Sequence, residues 1–196
     1  MTFDVIFTGS IMAILRGLPP EETVRLSRVA WDLGIEAVEV PIGRPEQVEA
    51  LAAAVEAGRA EGKLVGAGTV ITTGQVDAAF KAGAAYTVAP GLDLDVLRAS
   101  ETVGMPHLPG VATATELQTA WRAGCTWVKA FPATALGTTW FRDIRGPFPD
   151  VRLVATGGIT AETAGGFLTA GASVAAVGSA LSDPAQLPAL AALLQR

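Results

Sequence analysis

The stretch Thr113–Phe131, TATELQTAWRAGCTWVKAF, contains the unit from which the fold can be predicted. It opens with a Thr-x-x-Glu capping box, which predicts a helix over Ala114–Ala123. Gly124 follows an alanine, and a glycine in this place is typical of a left-handed helix stop before a tight loop. The apolar run Trp127–Phe131 then has the length and composition of a buried strand. The stretch therefore predicts one helix followed directly by one strand.

The same unit recurs along the whole chain. Helical spacing over Glu21–Leu33 and helix stops at Gly34, Gly83 and Gly171 repeat the pattern. The predicted strands follow one another after roughly 20 to 28 residues, about the length of a βα unit. They are Ile11–Leu15, Glu36–Val40, Leu64–Ala67, Tyr86–Ala89, His107–Pro109, Trp127–Phe131, Arg152–Ala155 and Val174–Val177.

Eight strands with helices between them predict a (β/α)8 barrel at the short end of its size range. The competing fold is a doubly wound open sheet, in which a glycine-rich phosphate turn often follows the first strand. Here that turn is Arg16-Gly17-Leu18-Pro19-Pro20, which is no dinucleotide fingerprint. Gly66-Ala67-Gly68-Thr69 has only half of the fingerprint, so the barrel is favoured.

The composition suits one such domain over residues 1–196. Half of the residues are hydrophobic, 17% are charged, and the mean hydropathy is +0.41. The apolar residues are spread evenly, and no run approaches the roughly 18 unbroken apolar residues of a membrane span. A sheet covered on both faces, or an oligomer that hides apolar surface, would accommodate this composition.

The net charge and the single cysteine and histidine argue against several classes of function. A net charge of −5 argues against a nucleic-acid-binding surface. The lone Cys125 and the lone His107 cannot form an internal disulfide or a cysteine- or histidine-rich metal site, and both are predicted to be structural. The segment Met1–Ser10 lacks the basic cluster of a signal peptide. We therefore expect a cytoplasmic protein without a metal.

In a barrel of this kind the chemistry lies at the carboxyl ends of the strands. The polar residues in or just after the predicted strands are Arg16, Glu39, Arg44, Thr69, Lys129 and Thr156. Lys129 stands out because its strand is otherwise apolar. Burial disfavours the charged ammonium form, and a neutral amine attacks carbonyl groups. The alternative is a lysine that points outward between helices. The strand pattern alone favours neither orientation over the other.

Two further charged residues could act with this lysine. Glu39 lies near the end of the second predicted strand, where a carboxylate could shuttle protons or only neutralise Lys129. Arg16 follows the first strand and could bind a carboxylate through both guanidinium nitrogens, although a solvated surface arginine is the more common case.

Glycine-rich turns follow the seventh and eighth predicted strands. They are Thr156-Gly157-Gly158-Ile159-Thr160 and Gly178-Ser179-Ala180. Barrels often bind phosphate through backbone N–H groups in these two loops. Ordinary tight turns would also contain glycine, but two such turns at these two strands favour a phosphate site.

Taken together, these segments resemble the class I 2-keto-3-deoxy-6-phosphogluconate and 2-keto-3-deoxy-6-phosphogalactonate (KDPG and KDPGal) aldolases, over nearly the whole chain. The order of the segments makes the resemblance specific. They are Ala13–Gly17, Ala37–Ile42, Val65–Val70, Pro109–Glu116, Val128–Ala133 and Thr156–Ile159.

The resemblance implies a homotrimeric barrel without cofactor or metal that cleaves a phosphorylated keto sugar acid to pyruvate and D-glyceraldehyde 3-phosphate. It implies that Lys129 forms the imine and Glu39 moves protons, while Arg16 and Thr69 hold the pyruvyl carboxylate. The other implied substrate-binding residues are Pro90, Phe131 and Pro132 around pyruvate, Thr156 beside the glycine turn, and Gly157, Gly158, Gly178 and Ser179 at the phosphate.

One position departs from the gluconate-type pattern, in which an arginine stands four residues after the glutamate. That position is Gly43 here, and Arg44 comes one place later. Val40-Pro41-Ile42 resembles the galactonate-type enzymes, whereas Thr156 resembles the gluconate type. The alternatives are an aldolase for a shorter or unphosphorylated keto acid, such as 4-hydroxy-2-oxoglutarate, and a non-catalytic barrel that binds a phosphorylated ligand.

Overall fold

All eight predicted strands are present, and one of them is broken in two. The computed structural model describes residues 1–194. Its strands are β1 (Ile11–Ile14), β2 (Ala37–Pro41), β3 (Val65–Gly68), β4 (Thr87–Val88), β5 (His107–Leu108), β6 (Gly110–Val111), β7 (Trp127–Ala130), β8 (Arg152–Thr156) and β9 (Val174–Val177). Its α-helices are α1 (Phe3–Ile6), α2 (Pro20–Asp32), α3 (Gln47–Glu61), α4 (Thr73–Lys81), α5 (Leu94–Thr102), α6 (Ala114–Arg122), α7 (Ala133–Ile144), α8 (Ala161–Thr169) and α9 (Leu187–Leu194), and 3₁₀ turns occupy Ser179–Ser182 and Pro184–Gln186.

The strands form one parallel sheet in the order β5-β4-β3-β2-β1-β9-β8-β7-β6. The two end segments, β5 and β6, are consecutive in the chain and are separated only by Pro109. The sheet is therefore a barrel that closes on itself through one interrupted strand. This confirms the predicted (β/α)8 barrel, and the strand predicted over His107–Pro109 continues to Val111.

Proline and glycine explain the interruption. Pro109 has no N–H to donate to a neighbouring strand, but its carbonyl accepts from the Lys129 backbone N–H at 2.8 Å. Gly110 lies close to the loop that follows β4: a Cβ on Gly110 would lie 2.2 Å from the Pro90 carbonyl carbon. The Gly110 N–H donates to the Gly91 carbonyl at 3.0 Å and joins the two ends of the barrel.

Alternate residues of each strand face opposite sides of the sheet, as strand geometry requires. In β7, Val128 and Ala130 belong to the large core between the sheet and the helices, whereas Trp127 belongs to the smaller cluster inside the barrel. Lys129 has the same parity as Trp127 and is 2% exposed. The lysine therefore points into the barrel, which decides between the two orientations that the sequence left open.

The amino-terminal end of the barrel is closed by α1, a helix that the strand pattern did not predict. Phe3, Ile6 and Phe7 belong to the interior cluster. The Phe7 ring packs 4.9 Å from the Trp127 ring, and the Asp4 carboxylate accepts from the Trp127 indole N–H at 3.2 Å. The barrel is therefore filled from this end.

The predicted helix signals are confirmed. The Thr113 side chain accepts from the Glu116 backbone N–H, as a capping box requires. Gly34, Gly83, Gly124 and Gly171 all have positive φ angles. No helix within residues 1–194 has the length and apolar character needed to cross a bilayer.

Candidate active site

A cavity of about 890 Å³ opens at the carboxyl ends of the strands. Ten of the twelve residues predicted for the site line it, namely Arg16, Thr69, Pro90, Lys129, Phe131, Thr156, Gly157, Gly158, Gly178 and Ser179. The inward parity of the strands explains this convergence, since residues two apart on one strand face the same side. Residues at the carboxyl ends of different strands therefore form the wall of one cavity.

Lys129 lies on the floor of this cavity. Its Nζ atom is 5.3 Å from the centre of the Phe131 ring, two residues further along the chain. Among the described residues no carboxylate forms an ion pair with this ammonium group. The amino group is therefore not engaged by a carboxylate, and a lysine amine in its neutral form is a nucleophile for carbonyl groups.

Glu39 lies opposite Lys129 in the barrel. β2 and β7 are separated by β1, β9 and β8 in one direction and by β3, β4 and the broken strand in the other. Glu39 is 1% exposed, and neither carboxylate oxygen has a hydrogen-bond partner. It is not among the residues that line the cavity. A buried, unpaired carboxylate is costly, so it is expected at a functional site rather than in a purely structural core.

Arg16 and Thr69 meet at one side of the cavity. The Arg16 Nη1 donates to the Thr69 Oγ1 at 3.3 Å. Thr69 has a φ angle of 58°, a left-handed conformation that is rare for a β-branched residue. The backbone is locally strained where it presents this hydroxyl, and such strain is concentrated at functional sites.

The double-glycine turn after β8 has a backbone conformation that favours glycine and leaves little room for side chains. Gly157 and Gly158 have φ angles of 105° and 73°. A Cβ on Gly158 would lie 2.7 Å from the Thr134 hydroxyl oxygen, and one on Gly157 would lie 3.1 Å from the Phe131 ring. The turn is therefore bare backbone at the cavity wall, beside Gly178 and Ser179 of the next loop.

Three other positions that the sequence singled out do not line the cavity. Pro132 is exposed, stands before the first residue of α7 and does not line the cavity. Gly43 borders Thr69, since a Cβ on it would lie 3.2 Å from the Thr69 methyl carbon. Arg44, its neighbour, is exposed. The one-residue offset therefore leaves bare backbone next to Thr69 where a gluconate-type arginine would stand.

Two hydroxyl residues on the cavity wall were not selected from the sequence. Thr160 is the N-cap of α8, and Ser182 ends the 3₁₀ turn after Ser179. Thr160 belongs to the Thr-Gly-Gly-Ile-Thr run and could have been found there. Ser182 carries no sequence signal of its own, because only the 3₁₀ turn brings it to the cavity.

The two residues predicted to be structural, His107 and Cys125, are buried and do not line the cavity. Burial raises the pKa of the Cys125 thiol to about 11, with the charge of Glu101 as the smaller cause. Among residues 1–194, no three histidine, cysteine, aspartate or glutamate side chains group as metal ligands.

Comparison with known proteins identifies the class. The sequence profile described as "Aldolase: KDPG and KHG aldolase" matches residues 4–191. The chain is 37% identical to the 2-dehydro-3-deoxy-6-phosphogalactonate aldolase of Escherichia coli K12 over 172 residues, which is 87% of this chain and 83% of that one. The chain therefore belongs to the KDPG and KHG aldolase family, and it is a pyruvate-dependent class I aldolase.

Solved structures agree with this assignment. A KDPG aldolase from Legionella pneumophila, with pyruvate captured as a covalent carbinolamine, superimposes with a TM-score of 0.84 at 27% identity and covers 97% of this chain and 96% of that one. A designed protein cage, made by fusing symmetric oligomeric domains, superimposes with a TM-score of 0.83 at 33% identity, over 95% of this chain and 70% of that one.

Proposed function

We propose that this aldolase reversibly cleaves a 2-keto-3-deoxy-6-phospho sugar acid, of the gluconate or galactonate type, to pyruvate and D-glyceraldehyde 3-phosphate. The observation that carries the proposal is a pair of buried groups on opposite sides of the barrel, Lys129 and Glu39. Lys129 lines a cavity that is also lined by two bare glycine turns. A nucleophilic amine, a carboxylate and an anion site are the groups that this reaction needs.

The reaction begins at Lys129. Its neutral amine attacks the C2 carbonyl to give a carbinolamine, which loses water to a protonated imine. Glu39, through a bound water, takes the proton of the C4 hydroxyl. The C3–C4 bond breaks, its electron pair flows into the imine to form an enamine, and the aldehyde leaves. Glu39 then returns its proton to C3 of the enamine, and hydrolysis of the imine releases pyruvate and the free amine.

The remaining residues bind the two ends of the substrate. Arg16 and Thr69, joined by their hydrogen bond, hold the carboxylate, while Pro90 and Phe131 of the cavity wall border the pyruvyl part; Pro132 lies outside the wall. Gly157, Gly158, Gly178 and Ser179 offer backbone N–H groups and a hydroxyl to the phosphate, with Thr156 beside them. Arg16 and the two glycine turns all line the same cavity, as this division requires.

The mechanism requires no metal and no cofactor. The protonated imine withdraws electrons from the breaking bond, which is the task that a Lewis acid performs in metal-dependent aldolases. We therefore expect full activity after exhaustive treatment with a chelator. Loss of activity that is restored by a divalent cation would contradict this point.

Borohydride trapping tests the proposal. The enzyme is reduced in the presence of pyruvate, and a stable adduct on Lys129 is expected by peptide mass spectrometry. Lys129→Ala should give no adduct, and Lys63→Ala, which removes a surface lysine paired with Glu36, should trap like the unchanged enzyme. Failure to trap, or trapping on another lysine, would overturn the mechanism.

The shorter keto acid 4-hydroxy-2-oxoglutarate is a second candidate substrate, because the matching family profile covers enzymes of both kinds. We expect kcat/KM to be higher for substrates that carry the terminal phosphate, measured with both C4 epimers. Equal values with and without the phosphate would remove the phosphate assignment and favour the shorter acid.

We also propose that the single-domain chain, residues 1–196, assembles as a homotrimer. Large apolar side chains are exposed on the described surface, among them Ile71, Phe80 and Trp121 at 52%, 53% and 54%. The similarity to a component of a cage built from symmetric oligomers also supports assembly. Light scattering after size-exclusion chromatography should give three times the mass of 20.0 kDa.

We infer that the enzyme acts in the cytoplasm. A phosphorylated sugar acid carries several negative charges and crosses lipid bilayers poorly, so it stays in the compartment where it is made. Activity in the soluble fraction of gently lysed cells is expected, and activity confined to a membrane or secreted fraction would contradict the inference.

A further inference from the structure

The buried carboxylate of Glu39 lies over a glycine. A Cβ built on Gly68 would lie 1.8 Å from the Glu39 Oε1, 2.5 Å from its Cδ and 2.7 Å from its Cγ. These distances are shorter than any real contact, and they involve most of the side chain rather than its tip alone. Glu39 could therefore not keep its position if residue 68 had any side chain.

A second glycine on the same strand meets a second large side chain. A Cβ on Gly66 would lie 2.1 Å from the Tyr86 ring. Gly66 and Gly68 are two residues apart on β3 and face the same side, which is the barrel interior. On the interior face of β3, the Tyr86 ring therefore lies over Gly66 and the Glu39 side chain lies over Gly68.

The register explains why Glu39 lies over Gly68 and not over Gly66. Glu39 is paired with Gly66 across β2 and β3, so the space beside Gly66 is the nearer of the two. Tyr86 occupies that space, is fully buried and donates its hydroxyl to the Val38 carbonyl at 2.7 Å. Its ring is fixed, and the glutamate side chain is directed toward the carboxyl end of the strand, where the cavity opens.

The ionisation of Tyr86 agrees with this arrangement. Burial raises the pKa of the Tyr86 hydroxyl well above its usual value, and the negative charge of Glu39 raises it further. The phenol therefore stays protonated and keeps its hydrogen bond to Val38. It does not donate to Glu39, whose two carboxylate oxygens have no hydrogen-bond partner among the described residues.

We propose that Gly68 is a positioning residue for the reaction. The absence of a side chain at Gly68 leaves the space in which the Glu39 carboxylate lies, while the Tyr86 ring fills the space over Gly66. The inference rests on the proposed function, in which Glu39 moves the protons. It predicts that a single methyl group at position 68 separates imine formation, which needs Lys129, from proton transfer, which needs Glu39.

The test uses Gly68→Ala with pyruvate as the probe. Borohydride trapping should stay within about twofold of the unchanged enzyme. Exchange of the pyruvate methyl hydrogens in D₂O, which requires a base, should fall by roughly 10²-fold or more, the usual contribution of a general base. Gly166→Ala is the matched control, because a Cβ there meets nothing within 4 Å, and both of its rates should be unchanged.

Introducing Gly68→Ala into a variant that already lacks the Glu39 carboxylate shows whether Gly68 acts through Glu39. In Glu39→Gln the exchange is already slow, and adding Gly68→Ala should reduce it no further. If Gly68→Ala alone does not fold, Glu39→Ala/Gly68→Ala should fold, because the colliding side chain is gone. Exchange at the normal rate in folded Gly68→Ala, or equal misfolding in both backgrounds, would overturn the inference.

The two proposals fail in different ways. If the unchanged enzyme neither traps pyruvate on Lys129 nor exchanges its methyl hydrogens, the proposed function is wrong. If the unchanged enzyme does both and Gly68→Ala does both equally well, only the positioning role of Gly68 is wrong.

Discussion

His107 is held by a chain of hydrogen bonds whose direction can be deduced. The Ser100 hydroxyl donates to the Met105 carbonyl at 3.0 Å, so it must accept from the Thr87 hydroxyl, 2.6 Å away. Thr87 has then used its only proton and accepts from the His107 Nδ1–H at 2.8 Å. The Nε2 atom is buried without a partner. The ring is therefore neutral in the folded protein.

This arrangement predicts lower stability in acid. Burial lowers the pKa of His107 from 6.5 to about 4, although the charge of Asp93 opposes the change. The unfolded chain binds the proton first, so the stabilisation is complete above pH 6.5 and is lost as the pH falls toward 4, by about 3 kcal/mol in all. We expect His107→Asn, which can still donate to Thr87, to lose less free energy of unfolding than the unchanged protein between pH 7 and pH 4.5.

Urea titrations at pH 7, 5.5 and 4.5 measure this difference. Because carboxylates titrate in both proteins, only the difference between the two pH dependences tests His107. Parallel curves for the two proteins would mean that the pKa of His107 is the same in the folded and unfolded states.

The strain at Thr69 gives a second prediction at this scale. Thr69→Ala and Thr69→Gly both remove the hydroxyl that accepts from Arg16, and kcat/KM should fall roughly tenfold in both. Only glycine relieves the left-handed backbone, so Thr69→Gly should be more stable than Thr69→Ala by about 1 kcal/mol. Kinetics and thermal unfolding of the two variants check this. Equal stability would mean that the φ angle of 58° costs nothing.

Among the secondary-structure elements, α1 offers the sharpest test. Phe7 packs between Phe3 and Trp127 inside the barrel and is 8% exposed, whereas Val5 on the same helix is 62% exposed. Phe7→Ala should lower the free energy of unfolding by about 3 to 5 kcal/mol, the usual cost of removing a buried phenyl ring. Val5→Ala should change it by less than about 0.5 kcal/mol. Similar losses in both variants would show that α1 does not close the barrel.

The strand and helix signals were predictable because each depends on neighbouring residues. The capping box at Thr113, the glycine helix stops and the apolar runs all specify local structure. α1 has only four residues and is too short to show a helical period. The break at Pro109 is visible in the sequence only as a proline, since its effect depends on which strand lies next to it.

For the site as well, the features that depend on neighbouring residues in the chain were predictable, and those that depend on the packing of strands were not. Strand parity could not be assigned from Lys129 alone, because small apolar residues on both sides of it suit either face of the sheet. The close approach of the Glu39 side chain to Gly68 depends on the register between β2 and β3, and the sequence contains no pattern for it. Side chains that reach the cavity through a turn, such as Ser182, were missed for the same reason.

For the whole molecule, assembly predicts a thermal stability that depends on protein concentration. If apolar surface around Ile71, Phe80 and Trp121 is buried only in the trimer, dilution favours the separated and less stable chains. We expect Tm to fall by several degrees over a hundredfold dilution. Differential scanning fluorimetry over this range measures it, and a constant Tm would indicate a stable monomer.

The interior packing of α1 also has a consequence for the order in which products leave. Because Phe3, Ile6 and Phe7 fill the amino-terminal end of the barrel, products leave Lys129 through the cavity at the carboxyl ends of the strands. The aldehyde is formed on the outer side of the lysine-bound fragment and must depart before water hydrolyses the imine. Pyruvate is then the last product released and competes directly with the sugar acid for the free enzyme. Steady-state measurements should therefore show competitive inhibition by pyruvate and noncompetitive inhibition by the aldehyde.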